Sequence, residues 1–199
     1  MSITKLPIFT DHSRHWRENL YVYPVISRRS GGLSIGVNLN PDMVCNFDCI
    51  YCCVDRRQPP KVREVDMDLL RAELDRTLDV AGSQLFADKP FCDTPPPLRR
   101  LNDVAFSGDG EPTSYPRFEE ACRIVADALS RRGLHQVKIV VITNATLFHQ
   151  PRVRSALAFL DAHNGEVWAK LDAGTEDYYR MVERTRIPLR RVLDNILEA

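Results

Sequence analysis

The sequence has no excess of charge of either sign, no long apolar run and no closely spaced metal-binding histidines. Its 199 residues include 27 Lys and Arg and 27 Asp and Glu, so the chain as a whole has no electrostatic preference for nucleic acid. An RNA partner would therefore need a local basic patch. No apolar run approaches the ~18 residues that span a bilayer, and residues 1–10 lack the apolar segment of a signal peptide. These absences predict a soluble, cytoplasmic protein with no membrane partner.

The composition is otherwise that of an ordinary globular domain. Apolar residues make up 44% of the chain and charged residues 27%, which excludes a disordered or fibrous protein. The length suits one domain with a hydrophobic core. The five histidines show neither the H-x-x-E-H nor the H-E-x-x-H spacing, so the pattern of a hydrolytic zinc site is absent.

Three of the six cysteines, Cys45, Cys49 and Cys52, lie within eight residues at C-x3-C-x2-C spacing. In a chain without a secretory signal, such thiols are better explained as metal ligands than as disulfide partners. Three thiolates can hold three irons of a cubane iron–sulfur cluster and leave the fourth iron without a protein ligand. Buried packing cysteines and a zinc site are the alternatives, although zinc motifs usually pair two C-x2-C units. The candidates for a fourth zinc ligand are a histidine, Cys53, Cys92 and Cys122.

The hydrophobic pattern predicts four strands that alternate with helices. The predicted strands are 33–39, 101–107, 137–142 and 167–171, and the predicted helices are 66–81, 116–132, 151–162, one that Thr175 caps, and 188–198. Cys122 falls on the apolar face of its helix and is expected in the core. The proline-rich segment 83–100 is expected to be an extended connector, with a substrate or partner contact as the alternative. The alternation argues for parallel strands in a barrel-like or open α/β sheet.

Residues 1–31 mix aromatic and basic side chains and are expected to form an N-terminal extension. Such a mixture can mark a nucleic-acid surface. We favour the other interpretation, in which the aromatic side chains anchor the extension to the core and the basic ones are solvated. The aromatic residues are Phe9, Trp16, Tyr21 and Tyr23, and the basic residues are Arg14, Arg17, Arg28 and Arg29.

Four unusual polar segments follow the ends of the four predicted strands. They are residues 45–52, which we call the cysteine loop, the glycine-containing turn 107–113, the pair Thr143 and Asn144, and the pair Lys170 and Asp172. In parallel α/β folds the active site forms from loops at the C-terminal ends of the strands. The coincidence therefore indicates an enzyme more than an isolated metal site.

The cysteine loop carries a family resemblance. C-x3-C-x2-C with an aromatic residue, Tyr51, before the last cysteine resembles the signature of radical S-adenosylmethionine (SAM) enzymes. Residues 32–41 leading into 45–52 resemble the branch with the wybutosine-synthesis radical SAM enzymes and their uncharacterised relatives. The resemblance extends from about Tyr21 to the C-terminus and implies a partial (β/α) barrel of radical SAM type. About four βα units are visible, so we expect residues 32–199 to form a radical SAM core domain that is incomplete at its C-terminus.

The resemblance also implies a cofactor set and a reaction. Cys45, Cys49 and Cys52 would hold a [4Fe-4S] cluster whose open iron chelates the amine and carboxylate of SAM. A flavodoxin or ferredoxin would donate the electron that cleaves SAM to methionine and a 5′-deoxyadenosyl radical, which abstracts hydrogen from an unknown substrate. A tRNA base is the first candidate substrate. The competing hypothesis is a non-catalytic zinc-binding module that uses the same cysteines.

The resemblance finally implies contacts to SAM. The turn at Gly108, Gly110 and Glu111 resembles the family's Gly-Gly-Glu motif, whose main-chain groups hold the amino group of SAM, with Asp109 in place of the first glycine of the commonest form. Asn144 is expected either to hydrogen-bond the SAM ribose or to make an Asx-type turn. Lys170 and Asp172 are expected to contact ribose or carboxylate groups, with a surface ion pair as the alternative. Tyr51 is the remaining predicted cofactor contact.

Overall fold

An open sheet with five strands forms the centre of the described chain. The computed structural model describes residues 16–82, 84–87 and 89–199. The strands are β1 (Val22–Ser27), β2 (Gly32–Val37), β3 (Leu101–Phe106), β4 (Lys138–Thr143) and β5 (Gly165–Ala169). They lie in sequence order; β1 is antiparallel to β2, and the other neighbours pair in parallel. The predicted α/β class is therefore confirmed, whereas a barrel is not, because the sheet is not closed.

Five helices accompany the strands at nearly the predicted positions. They are α1 (Met67–Val80), α2 (Phe118–Arg131), α3 (Pro151–Asp161), α4 (Glu176–Glu183) and α5 (Leu189–Glu198). Asp66 caps α1 by accepting hydrogen bonds from the next backbone amides, and the Thr175 side chain caps α4 in the same way. No helix in the described ranges combines the length and apolar character needed to cross a membrane.

One face of the sheet packs against α1 and α2 and forms the main core. Alternate residues of β2, β3 and β4 point into it, as the pleat requires. Cys122 lies in this core with 0% exposure, which confirms its predicted position. The proline-rich segment contributes the buried rings of Phe86 and Phe91 to the same core.

Strand β1 lies within residues 1–31, where the sequence predicted an N-terminal extension and no strand. The buried carboxylate of Glu73, on α1, accepts hydrogen bonds from the backbone amides of Leu20, Tyr21 and Val22 at 2.8–3.1 Å. Tyr21 and Tyr23 are buried, which confirms the anchoring role expected of them. Phe9 and Arg14, for which the sequence made predictions, lie outside the described residues.

The second face of the sheet carries polar and aromatic side chains. Ser34 of β2 donates a hydrogen bond to Asp103 of β3, and both side chains are buried. Lys138 of β4 pairs with Glu166 of β5, and Glu166 also accepts a hydrogen bond from Trp168. This face borders the candidate site, which continues beyond the C-terminal ends of the strands.

Candidate active site

The cysteine loop follows β2 and is held in place by the C-terminal end of α4. The amides of Asp48 and Ile50 donate to the carbonyls of Glu183 and Val182 at 3.0 and 2.9 Å. The last carbonyls of a helix have no partner within it, so they are available to hold another segment. Phe47 completes the attachment, because its ring packs edge-on against Tyr179 of α4 at 5.8 Å between centroids.

The three predicted ligand cysteines open onto one cleft of about 720 Å³. Cys45 and Cys49 are half-buried, Cys52 is exposed, and none of the three forms a disulfide. Burial raises the pKa of Cys45, and burial together with the neighbouring carboxylate of Glu183 raises the pKa of Cys49 to about 12. Among the side chains that the structure describes, no three His, Cys, Asp or Glu residues are gathered closely enough to hold one metal ion.

Most of the predicted cofactor contacts line the same cleft. Those that do are Tyr51, Gly108, Gly110, Glu111, Asn144 and Lys170. Asp172 is linked to the cleft through its hydrogen bond to Tyr51. The fold therefore brings together residues from the loops after β2, β3, β4 and β5.

The glycines of the turn after β3 leave room for the segments that follow β2. A Cβ atom at Gly108 would lie 2.2 Å from Oδ1 of Asn38, and one at Gly110 would lie 2.1 Å from the carbonyl oxygen of Val44. Asn38 also donates to the carboxylate of Asp109 at 2.6 Å. These glycines are thus required by packing against the residues that follow β2, in addition to any role in ligand binding.

Glu111 directs its side chain into the protein and joins the ends of β3 and β4. Its carboxylate accepts hydrogen bonds from Thr113 Oγ1 at 2.5 Å, Thr143 Oγ1 at 2.6 Å and the Asn144 amide at 2.8 Å. Burial raises the pKa of Glu111 although these donors favour its charged form. The carboxylate thus organises the site by joining the ends of β3 and β4.

Asn144 fastens the end of β4 to the cysteine loop. Its Nδ2 donates to Oδ1 of Asn46 at 2.7 Å, and its Oδ1 accepts from the amide of Thr146 at 3.2 Å. The second bond is the Asx-type turn that the sequence analysis gave as one alternative. The ribose contact of Asn144 stays a prediction.

Tyr51 connects the cysteine loop with β5 and α4. Its hydroxyl bonds to Asp172, and to Glu183 at 3.3 Å, while the Lys170 ammonium lies 5.2 Å from its ring centroid. Strand β5 ends at Ala169, so Lys170 and Asp172 lie just past the strand instead of on it. Burial raises the pKa of Tyr51 and of Glu183. Sequence reasoning missed Glu183, which lies 132 residues from its partner Tyr51.

Arg56 is a second site residue that the sequence did not reveal. Its guanidinium donates to the Cys52 sulfur at 3.3 Å, to the Met43 carbonyl at 2.9 Å and to the Asp109 carbonyl at 3.3 Å. It therefore bridges both ends of the cysteine loop and the glycine turn. The only signal in the sequence is its position four residues after Cys52, which is not specific.

Comparison with family models found no match. The chain is 30% identical over 186 residues to a UPF0026 protein of Helicobacter pylori, an alignment that covers 92% of this chain and 51% of the relative. It is 28% identical over 180 residues to a UPF0026 protein of Methanocaldococcus jannaschii, covering 88% of this chain and 46% of the relative. The chain thus spans about half the length of these curated relatives.

Among solved structures, the chain resembles that of TYW1 with a lysine–pyruvate adduct bound. The TM-score is 0.41 and the sequence identity 21%, over 83% of this chain and 49% of that chain.

Proposed function

We propose that this chain is a radical SAM enzyme or the core of one. Cys45, Cys49 and Cys52 hold a [4Fe-4S] cluster, and SAM binds beside them in the cleft. The observation that carries this proposal is the convergence of three cysteine thiols, at the spacing the family uses, with loops from three further strand ends on one cleft. Flavodoxin or ferredoxin is the proposed electron donor, and a tRNA base is the first candidate substrate.

The donor set fits a cluster with one iron that lacks a protein ligand. Thiolates are the usual ligands of iron–sulfur clusters, and three of them share this cleft. When bound, the cluster would supply one electron for the reductive cleavage of the C5′–S bond of SAM, and the radical chemistry that follows would remove hydrogen from the substrate. The protein's contribution is to bind, orient and shield these groups.

The chain's own residues prepare the thiols and the cleft. The raised pKa of Cys45 and Cys49 means that both thiols are protonated before metal binds, so binding releases protons. Arg56 places a positive charge at Cys52 and favours the thiolate there. Glu111 holds the ends of β3 and β4 at a fixed separation, so the turn that follows β3 presents its main chain to the cleft.

The test is anaerobic reconstitution with iron and sulfide, followed by EPR of the dithionite-reduced protein with and without SAM. We expect a cubane signal that changes shape when SAM is added, and formation of 5′-deoxyadenosine. Cys49→Ala should abolish both. Cys92→Ala is the matched control, because Cys92 does not line the described cleft, and it should behave as the parent protein does.

The zinc-binding alternative predicts a different result. The protein would stay colourless after reconstitution and retain one zinc per chain. That result, or SAM cleavage unaffected by Cys49→Ala, would reject the enzyme proposal.

A further inference from the structure

The cleft has a second wall that the proposed cofactor chemistry does not use. It is formed by residues of β1, the turn after β1, the residue that follows β3, and the C-terminal parts of β4 and β5. The residues that form it are Tyr23, Arg28, Arg29, Ser107, Ile142 and Trp168. The thiols, by contrast, all come from the loop after β2, so the two walls differ in chemistry.

Trp168 is a fixed aromatic platform on this wall. Its indole Nε1 donates to Oε1 of Glu166 at 2.6 Å, which sets the orientation of the ring. The carboxylate of Glu166 is in turn paired with Lys138, and this pairing lowers the pKa of Glu166. The guanidinium carbon of Arg29 lies 5.2 Å from the centroid of the Trp168 ring, an arrangement typical of a cation–π contact.

The floor beside Trp168 includes Tyr23, whose largely buried ring packs over Gly36 of β2. An added Cβ atom at Gly36 would lie 2.3–2.7 Å from the atoms of the Tyr23 ring, so only glycine lets the ring lie there. The Tyr23 hydroxyl is 3.0 Å from Oγ of Ser107, which places two hydroxyl groups at the floor. The wall therefore combines the indole of Trp168 with the hydroxyl groups of Tyr23 and Ser107.

The charge on this wall is positive. Arg28 and Arg29 are both exposed, and within the described ranges neither guanidinium is paired with a carboxylate. The nearby Glu166 does not offset them, because it already pairs with Lys138. An arginine held over an aromatic ring keeps the N–H donors at the edge of its planar group available to an anion.

We propose that this wall binds a planar ring that bears an anionic group, a phosphate or a carboxylate. The ring packs against the indole of Trp168, and the anion bonds to the guanidinium groups of Arg28 and Arg29. In the enzyme proposed above, the wall is the substrate subsite, and that assignment of role rests on the proposed function. The binding itself does not require a cluster.

Ligand binding at this wall can be followed by the fluorescence of Trp168. The chain has two tryptophans, so Trp16→Phe leaves Trp168 as the only source of indole fluorescence. In this background we would titrate uridine 5′-monophosphate, orotate, uridine and inorganic phosphate. We expect one or both of the ring anions to quench Trp168, with uridine and phosphate at least tenfold weaker. Comparison of uridine 5′-monophosphate with orotate distinguishes a phosphate from a carboxylate ligand.

Variants then test the role of the arginines. Arg29→Ala should weaken binding of the ring anion by roughly tenfold or more, as expected for the loss of a charged hydrogen bond. Arg29→Lys, which keeps the charge but not the planar donor group, should have an intermediate effect. Arg191→Ala is the control, because Arg191 is exposed on α5 and does not line the cleft. Equal binding by Arg29→Ala, or uridine binding as tightly as its monophosphate, would overturn the proposal.

The same titration separates this inference from the proposed function. It is performed on the full chain before and after reconstitution, and on Cys49→Ala. A SAM-sensitive EPR signal without binding of either ring anion would overturn the subsite and leave the enzyme proposal standing. Arginine-dependent binding in a protein that takes up no cluster would support the ligand site while the enzyme proposal fails.

Discussion

Replacement of Gly110 by alanine tests whether the glycine turn and the cysteine loop form one packed unit. The new Cβ atom would lie 2.1 Å from the Val44 carbonyl oxygen and 2.7 Å from Cβ of Asn40, both well inside van der Waals contact. The first of these atoms is backbone, so no side-chain rotation can relieve the clash. Overpacking of this kind costs about 1–3 kcal/mol.

The expected effects are on both stability and metal binding. For a domain of this size, each kcal/mol lowers the melting temperature by roughly 2–4 °C, so a fall of about 2–12 °C is expected. Val44 directly precedes Cys45, so displacement of its carbonyl should also move the first of the proposed ligand thiols and reduce the iron bound per chain. Thermal unfolding followed by circular dichroism and an iron assay after reconstitution would measure the two effects.

Gly174→Ala is the matched control. No heavy atom lies within 4 Å of a Cβ built at Gly174, so the substitution has space. It should be neutral or stabilise by up to about 1 kcal/mol, because alanine reduces the entropy of the unfolded chain. The packing argument would be refuted if Gly110→Ala unfolded at the same temperature as Gly174→Ala and bound as much iron.

Three further predictions concern buried or charged side chains outside the turn. Glu73→Ala removes the acceptor of three backbone amides in the segment that leads into β1. It should lower the free energy of unfolding, measured in urea, by about 3 kcal/mol or more. A loss under about 1 kcal/mol would contradict the role of Glu73. Burial raises the pKa of Asp103 in the folded chain above its value in the unfolded chain, which is about 3.9. The contribution of Asp103 to the free energy of unfolding is therefore fully favourable below that unfolded-state pKa and is lost as the pH rises through the pKa of the folded state. Asp103→Asn should therefore gain stability relative to the parent protein as the pH rises from 4 to 8, and a pH-independent difference would exclude this explanation. Arg56→Gln removes a positive charge beside Cys52 and should lower the reduction potential of the reconstituted cluster, measured in an EPR-monitored titration. Arg57→Gln is the control and should leave the potential unchanged, because the side chain of Arg57 is 90% exposed. Equal potentials in both variants would rule out the effect.

Most of the fold was predictable because its elements are marked by local patterns. The helices carry apolar residues at helical spacing and have capping residues such as Asp66 and Thr175, and the parallel strands are short apolar runs. Strand β1 was missed because it contains Pro24, which counts against a strand in sequence reasoning. An edge strand tolerates proline, and the edge position of β1 is a property of the assembled sheet.

The candidate site was predictable only in part. Their spacing alone singles out Cys45, Cys49 and Cys52 as candidate ligands. The other polar segments could be placed near them because parallel strands end at the same edge of a sheet. Sequence spacing could not show that the glycines serve packing as well, since the atoms they avoid belong to Asn38 and Val44.

Local sequence patterns were enough to establish the α/β class, to select the cysteines to be tested and to locate the strand ends that border them. The partners of the site residues became known only from the folded chain: Glu183 for Tyr51, Arg56 for Cys52, and Arg29 for Trp168. The physical reason is that periodicity and capping report the local environment of a residue. Contacts between residues far apart in sequence depend on how the elements pack, which no local pattern specifies.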